Sequence, residues 1–158
     1  RLVEAGSTFV TVHCGGWDSH WELEASMKSQ APQLDSLVSA LFEDLADRGL
    51  LDQVMVVVGG EFGRTPFMNT GHDKGKPGRD HWGNTFSCLF GGGGVQGGQI
   101  VGASNERGEY VTDRLVTPSD FHATIYHALG VDPEIHLLDR AGRPVPAVVD
   151  GKVITELF

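Results

Sequence analysis

The amino-acid sequence predicts an α/β fold built on a mostly parallel sheet. Two observations carry this expectation. A β-branched run at residues 7–13 and a continuous apolar run in "DQVMVVVGG" are separated by an amphipathic helical pattern, and both runs empty into glycine-rich polar segments. Strand, helix, strand is the βαβ unit, whose crossover is right-handed and whose strands are parallel. Its consequence for function is that "CGGWDSH" and "GGEFGRT" leave the sheet at one carboxyl edge, where open α/β sheets hold their ligands.

Each element has a local reason. "STFVTVH" is rich in β-branched residues and ends in the turn-prone "CGGWDSH". From Pro32, the apolar residues Leu34, Leu37, Val38, Leu41, Phe42 and Leu45 fall on one helical face. Pro32 suits a first turn and Gly49 a C-terminal exit. "VMVVV" is the pattern of a strand covered on both faces. "NTFSCLFGGGG" reads as a third strand and "GGQIVGAS" as a short fourth, followed by the polar "NERGEYVTDRL". "TPSDFHATIYHALG" opens with Thr117 as N-cap, Pro118 in the first turn and Asp120 three residues after the cap, and Gly130 closes it. Phe121, Ile125, Ala128 and Leu129 form its expected buried stripe. In "AVVDGKVI", Asp150-Gly151 is a two-residue hairpin signal.

The chain as a whole, 158 residues with 40% hydrophobic and 21% charged, fits one domain over residues 1–158. No apolar stretch approaches the roughly 18 residues that span a bilayer. A formal net charge of −9 argues against a general nucleic-acid binder, which presents an excess of Lys and Arg. The loop after the second apolar run is nonetheless slightly basic, with Arg64, Lys74, Lys76 and Arg79 against Glu61, Asp73 and Asp80. Cys14 and Cys88 form no zinc pattern and read as buried free thiols, with a disulfide as the alternative. The chain opens at Arg1 without a signal-like segment, as a fragment lacking an N-terminal part would.

Hard divalent metals need carboxylates and imidazoles converging from several loops. Asp18 and His20 bracket one serine, a spacing that turns both side chains to one side of an extended segment. Glu61 follows the second strand and His81 precedes the third. These four are the candidate ligands, of zinc, calcium, magnesium or manganese; taken singly, each is as readily a turn former, a cap or a surface residue. Arg64 and Arg79 are candidates to clamp an anion, with loop ion pairs to Glu61 or Asp80 as the alternative. Asn69 either orients the loop or contacts substrate. Trp17 and Trp82 flank the ligands as pocket walls or as core aromatics. His13 is a candidate outer donor to the site. His72 lies in an insertion-like stretch, and His122, His127 and His136 read as structural.

"RLVEAGSTFVTVHCGGWDSH", "VVVGGEFGRTPFMN", "GRDHWGNTFSCLFGGGGVQGGQIVGAS" and "TPSDFHATIYHALGVD" together resemble the C-terminal part of a bacterial family of unknown function. Its members are often labelled sulfatase-like and grouped with the alkaline phosphatase superfamily. The resemblance implies an alkaline phosphatase-like three-layer sandwich and a metal-dependent hydrolase of phosphate or sulfate esters. Asp18 and His20 stand where that superfamily has an Asp and a His for one metal, Glu61 where it has an Asp of the second, and His81 where a later His completes the first. The nucleophile and further ligands are then expected upstream of Arg1, and a periplasmic or secreted location is implied. Two departures stand out: only Ser19 separates Asp18 from His20, and Phe62 replaces the second metal's imidazole. They favour a rival reading, a non-catalytic binder of sulfated or phosphorylated glycans at the cell envelope.

Overall fold

The computed structural model describes residues 1–71 and 75–158. In chain order these form α1 (Leu23–Asp47), β1 (Val56–Val58), β2 (Gly63–Arg64), β3 (His81–Trp82), β4 (Leu89–Gly91), β5 (Ala103–Ser104), β6 (Val111–Asp113), α2 (Pro118–Ala128), β7 (His136–Leu138), β8 (Pro144–Pro146) and a closing 3-10 turn, Thr155–Leu157. The strands pair two by two, β1 with β4, β2 with β3, β5 with β6 and β7 with β8, and every pair is antiparallel. No helix among the described residues is long and apolar enough to cross a membrane.

This overturns the expected mostly parallel, three-layer alkaline phosphatase-like sandwich: the chain is a small α/β domain of short antiparallel pairs. The βαβ unit does not form, because residues 7–13 make no ladder and leave Phe9 65% and Val12 84% exposed. The apolar run 54–58 instead pairs with the third run, Val56 opposite Gly91 and Val58 opposite Leu89. β2 and β3 are nested inside that pair, with Gly63 opposite Trp82 and Arg64 opposite His81. The ladder then continues through the Thr65 amide on the Asp80 carbonyl at 2.9 Å and the Asn69 amide on the Gly78 carbonyl at 2.9 Å. The described residues of the long loop therefore form the two arms of an extended hairpin. A continuous apolar run states that a strand is covered; it does not state the direction of its neighbour.

The hairpin base is held between the helices. A Cβ placed on Gly91 would meet the Phe42 ring at 2.7 Å, so α1 lies against β4 there, while the Phe90 ring packs edge-on to Phe121 of α2 at 5.4 Å. Successive strand residues project to opposite faces, so the two helices cover opposite faces of the β1–β4 pair. After β4, Gly92 and Gly93 both adopt left-handed backbone, and a Cβ on either would strike the 54–55 backbone within 2.7 Å.

α1 starts nine residues before Pro32, which sits in its exposed interior rather than its first turn. Of its predicted face, Leu45 is buried and Leu34, Val38 and Phe42 are partly covered, whereas Leu37 and Leu41 are exposed. α2 has the predicted capping box, with the Thr117 hydroxyl accepting from the Asp120 amide and the Asp120 carboxylate accepting from the Thr117 amide. Its buried residues are Asp120, Ala123 and Thr124; Phe121 and Ile125 are half-buried, and Ala128 and Leu129 face solvent.

The chain end docks on that helix. The Lys152 amide donates to Asp120 Oδ1 at 2.7 Å and the Ile154 amide to the Thr124 hydroxyl at 3.0 Å. With those donors spent, "AVVDGKVI" does not form the expected hairpin; Asp150 takes a left-handed turn conformation (φ 55°), and the hairpin lies upstream in β7–β8. Burial pushes the Asp120 carboxyl up, but the amides and hydroxyl it accepts from bring it below its ordinary value. Both cysteines are free; Cys88 is half-buried, but Cys14 is exposed, contrary to the buried thiol expected.

Candidate metal centre

The hairpin arm 76–81 receives the polar segment that precedes α1. The Glu22 amide donates to the Lys76 carbonyl, the Leu23 amide to the Pro77 carbonyl and the Arg79 amide to the Ser19 carbonyl. Ser19 is buried, its hydroxyl 2.7 Å from that of Ser26 on α1. This zipping fixes residues on both sides of Ser19. It sets Asp18 and His20 beside His81, which β3 presents from the other arm.

Three donor atoms converge. Asp18 Oδ1 lies 2.8 Å from His81 Nε2 and 3.1 Å from His20 Nε2, and the two imidazole nitrogens are 3.2 Å apart. Ligands sharing an ion with bonds of about 2.0–2.1 Å are separated by roughly 2.8–3.4 Å, between octahedral and tetrahedral edges. The triangle thus has the dimensions of a shared coordination shell. Its donor set, one carboxylate and two imidazoles, suits zinc or a related first-row ion better than calcium or magnesium, which prefer oxygen throughout. The side chains of Asp18 and His81 are 68% and 50% exposed, so the group faces outward and leaves room for a further ligand.

Two carboxylates, Asp18 and Asp80, and the Arg64 guanidinium border it. The His81 hydrogen bond, and then the Arg64 guanidinium at 2.6 Å, hold the Asp18 carboxyl at about 2, below its ordinary 3.8. Asp18 is therefore ionised and available as a ligand at any pH near neutral. His20 Nδ1 lies 2.7 Å from Asp80 Oδ1. The Phe62 ring stands against His81, centroids 4.4 Å apart.

The other predicted residues are placed as follows. Glu61 is exposed in the turn after β1 and stands outside the group of three. Arg64 spends its fork on Asp18 Oδ1, the Trp17 carbonyl and the Arg79 carbonyl, an ion pair with a carboxylate other than those expected. Arg79 is partly buried, and its Nε is buried without a hydrogen-bond partner among the described residues. Asn69 binds the His20 carbonyl at 2.8 Å and Asp80 Oδ1 at 3.2 Å. Trp82 donates its indole N–H to the Glu109 carbonyl and meets Phe67 edge-on, tying the hairpin to the 105–110 segment. His122 and His127 lie on α2 and His136 on β7. His72 lies outside the described residues.

Sequence reasoning missed Asp80 as the partner of His20 and Asp18 as the partner of Arg64. The one local signal was Asp80 directly preceding His81 at a strand edge; 60 residues separate Asp80 from His20, so no spacing rule connects them. Searches of curated proteins and of solved structures gave no match. A family profile described as "Protein of unknown function (DUF1501)" matches residues 1–158, and the chain belongs to that family.

Proposed function

We propose that this protein is a divalent-metal-dependent hydrolase of phosphate or sulfate esters, its ion held by Asp18, His20 and His81. The observation that carries the reading is the 2.8–3.2 Å triangle of three ligand-type atoms on an exposed face. A bound ion supplies Lewis-acid polarisation of an ester oxygen. The chain's own residues hold and orient the three ligands. Asp18 contributes negative charge, Asp80 orients His20, and Phe62 and the β2–β3 ladder hold His81 in place. The Arg64 guanidinium, 2.6 Å from Asp18 Oδ1, puts positive charge beside the place where the negative charge of the ester develops. The motif resemblance supports the same chemistry.

One observation favours the second reading, a non-catalytic binder of sulfated or phosphorylated glycans. Arg64 is already engaged by three acceptors, and with Glu61 outside the group the ligands suffice for a single ion. The test is turnover of p-nitrophenyl phosphate and p-nitrophenyl sulfate by the zinc- or manganese-loaded protein, beside Asp18→Asn and His81→Ala. Hydrolysis of either ester that disappears in both variants supports the hydrolase. Bound metal with no turnover of either ester overturns it and leaves the binder.

A further inference from the structure

We infer that Asp80 and Asn69 form a positioning pair that sets the tautomer and aim of His20; the inference rests on the metal reading above and assigns roles to two residues outside the ligand triangle. Asp80 Oδ1, an acceptor, lies 2.7 Å from His20 Nδ1, so the hydrogen of a neutral imidazole belongs on Nδ1. Nε2 is then a lone pair. It points at a second acceptor, Asp18 Oδ1, 3.1 Å away. Two lone pairs directed at one another repel unless a proton or a cation lies between them. In the metal-free protein His81 Nε2, 2.8 Å from Asp18 Oδ1 and 3.2 Å from His20 Nε2, supplies the proton, and with Asp80 on Nδ1 the His20 Nε2 is an acceptor or a ligand rather than a donor to Asp18.

Asn69 holds this arrangement from behind. Its Nδ2 donates to the His20 carbonyl at 2.8 Å and to Asp80 Oδ1 at 3.2 Å, so one amide group touches both partners of the pair. Its Oδ1 accepts from the Gly71 and Gly78 amides at 2.8 and 2.9 Å, and its own amide binds the Gly78 carbonyl. The two bonds to Oδ1 fix the side chain on the hairpin backbone. Aspartate in its place would keep the two amide bonds but lose both donors and set a second carboxylate against Asp80. The amide is therefore required for its nitrogen, not only for its shape.

The experiment uses the intact chain in two steps. First, two-bond nitrogen–proton correlation spectra of the metal-free protein at neutral pH read the His20 tautomer in wild type, Asp80→Asn, Asp80→Glu and Asn69→Asp. Wild type and Asp80→Glu are expected to show the proton on Nδ1, and Asp80→Asn and Asn69→Asp a mixture of tautomers. Near-UV circular dichroism and thermal melting verify folding, and the carboxylate-preserving Asp80→Glu gives the rescue that a merely structural loss would not show. Second, competition titration with zinc is expected to show Asp80→Asn and Asn69→Asp binding about 10–100-fold more weakly than wild type. A His20 tautomer that is unchanged in folded Asp80→Asn overturns the inference, as does zinc affinity within twofold of wild type in both variants. If wild type holds the Nδ1 proton but binds no zinc, the positioning of His20 is upheld and it is the metal reading that fails.

Discussion

Gly78→Ala isolates the contact on which the site is built. Gly78 lies where the hairpin arm crosses the segment before α1. A Cβ there would sit 2.3 Å from the His20 carbonyl carbon and 2.5 Å from the Ser19 and His20 oxygens, where ordinary contact begins at 3.4 Å. All three obstacles are backbone, so no side chain can swing away, and the two segments must part by about 1 Å. Overpacking of this kind costs roughly 1–3 kcal/mol, which lowers Tm by about 2–12 °C in a chain of this size. The effect on the site is larger, because constellations of this type tolerate only about 0.5 Å of displacement. Carrying His20 away removes one ligand of three. Apparent binding energies of about 10–16 kcal/mol for four-ligand zinc sites divide to roughly 3 kcal/mol per ligand, close to a hundredfold in affinity at 1.4 kcal/mol per tenfold. Thermal melting and zinc competition on Gly78→Ala measure both effects. Gly83→Ala, where a Cβ meets nothing within 4 Å, is the control. Wild-type Tm and wild-type zinc affinity in Gly78→Ala would refute the reasoning.

Three further outcomes are expected. Thr124→Val keeps the volume of a fully buried residue but strands the Ile154 amide, and is expected to destabilise by about 1–3 kcal/mol in urea unfolding; an unchanged midpoint would show that the chain end does not depend on that bond. Glu156 is held at about 2, below its ordinary 4.5, by the two-pronged Arg114 ion pair. A depressed carboxylate stabilises above its unfolded value and loses that stabilisation as pH falls from about 4.5 through 2, so Glu156→Gln should flatten the stability profile in that window only; superimposable profiles would contradict the pair. Pro32→Ala should stabilise the exposed middle of α1 by about 3 kcal/mol, since interior proline costs a hydrogen bond and a clash; a fall in Tm would show that α1 depends on the ring.

What was legible in the sequence follows what is local. The Thr117, Pro118 and Asp120 cap satisfies amides within one turn, and α2 stands where those residues require it. The Gly49 exit is likewise local, with φ 66° and its amide on the Ala46 carbonyl. Pairing direction is not local. "VMVVV" and "STFVTVH" look alike in composition, yet the first pairs antiparallel across about thirty intervening residues and the second does not pair, because the partner strand was in the glycine-bounded run 89–91. The site shows the same division. Asp18, His20 and His81 were singled out for their chemistry and do lie together, but by zipping of residues 19–23 along 76–79 rather than by a shared parallel-sheet edge. Glu61, placed by that edge argument, lies elsewhere. Asp80 and Asn69 act through bonds that no sequence spacing announces.

The claim most in need of trial is that Asp18, His20 and His81 bind one divalent ion. Elemental analysis of the protein purified without chelator and then dialysed against zinc or manganese tests it, beside Asp18→Ala, His81→Ala and Glu61→Ala, each verified as folded. The account predicts one equivalent of metal in wild type and in Glu61→Ala, and none in Asp18→Ala or His81→Ala. Folded wild type that takes up no metal, or metal retained in both Asp18→Ala and His81→Ala, would contradict it.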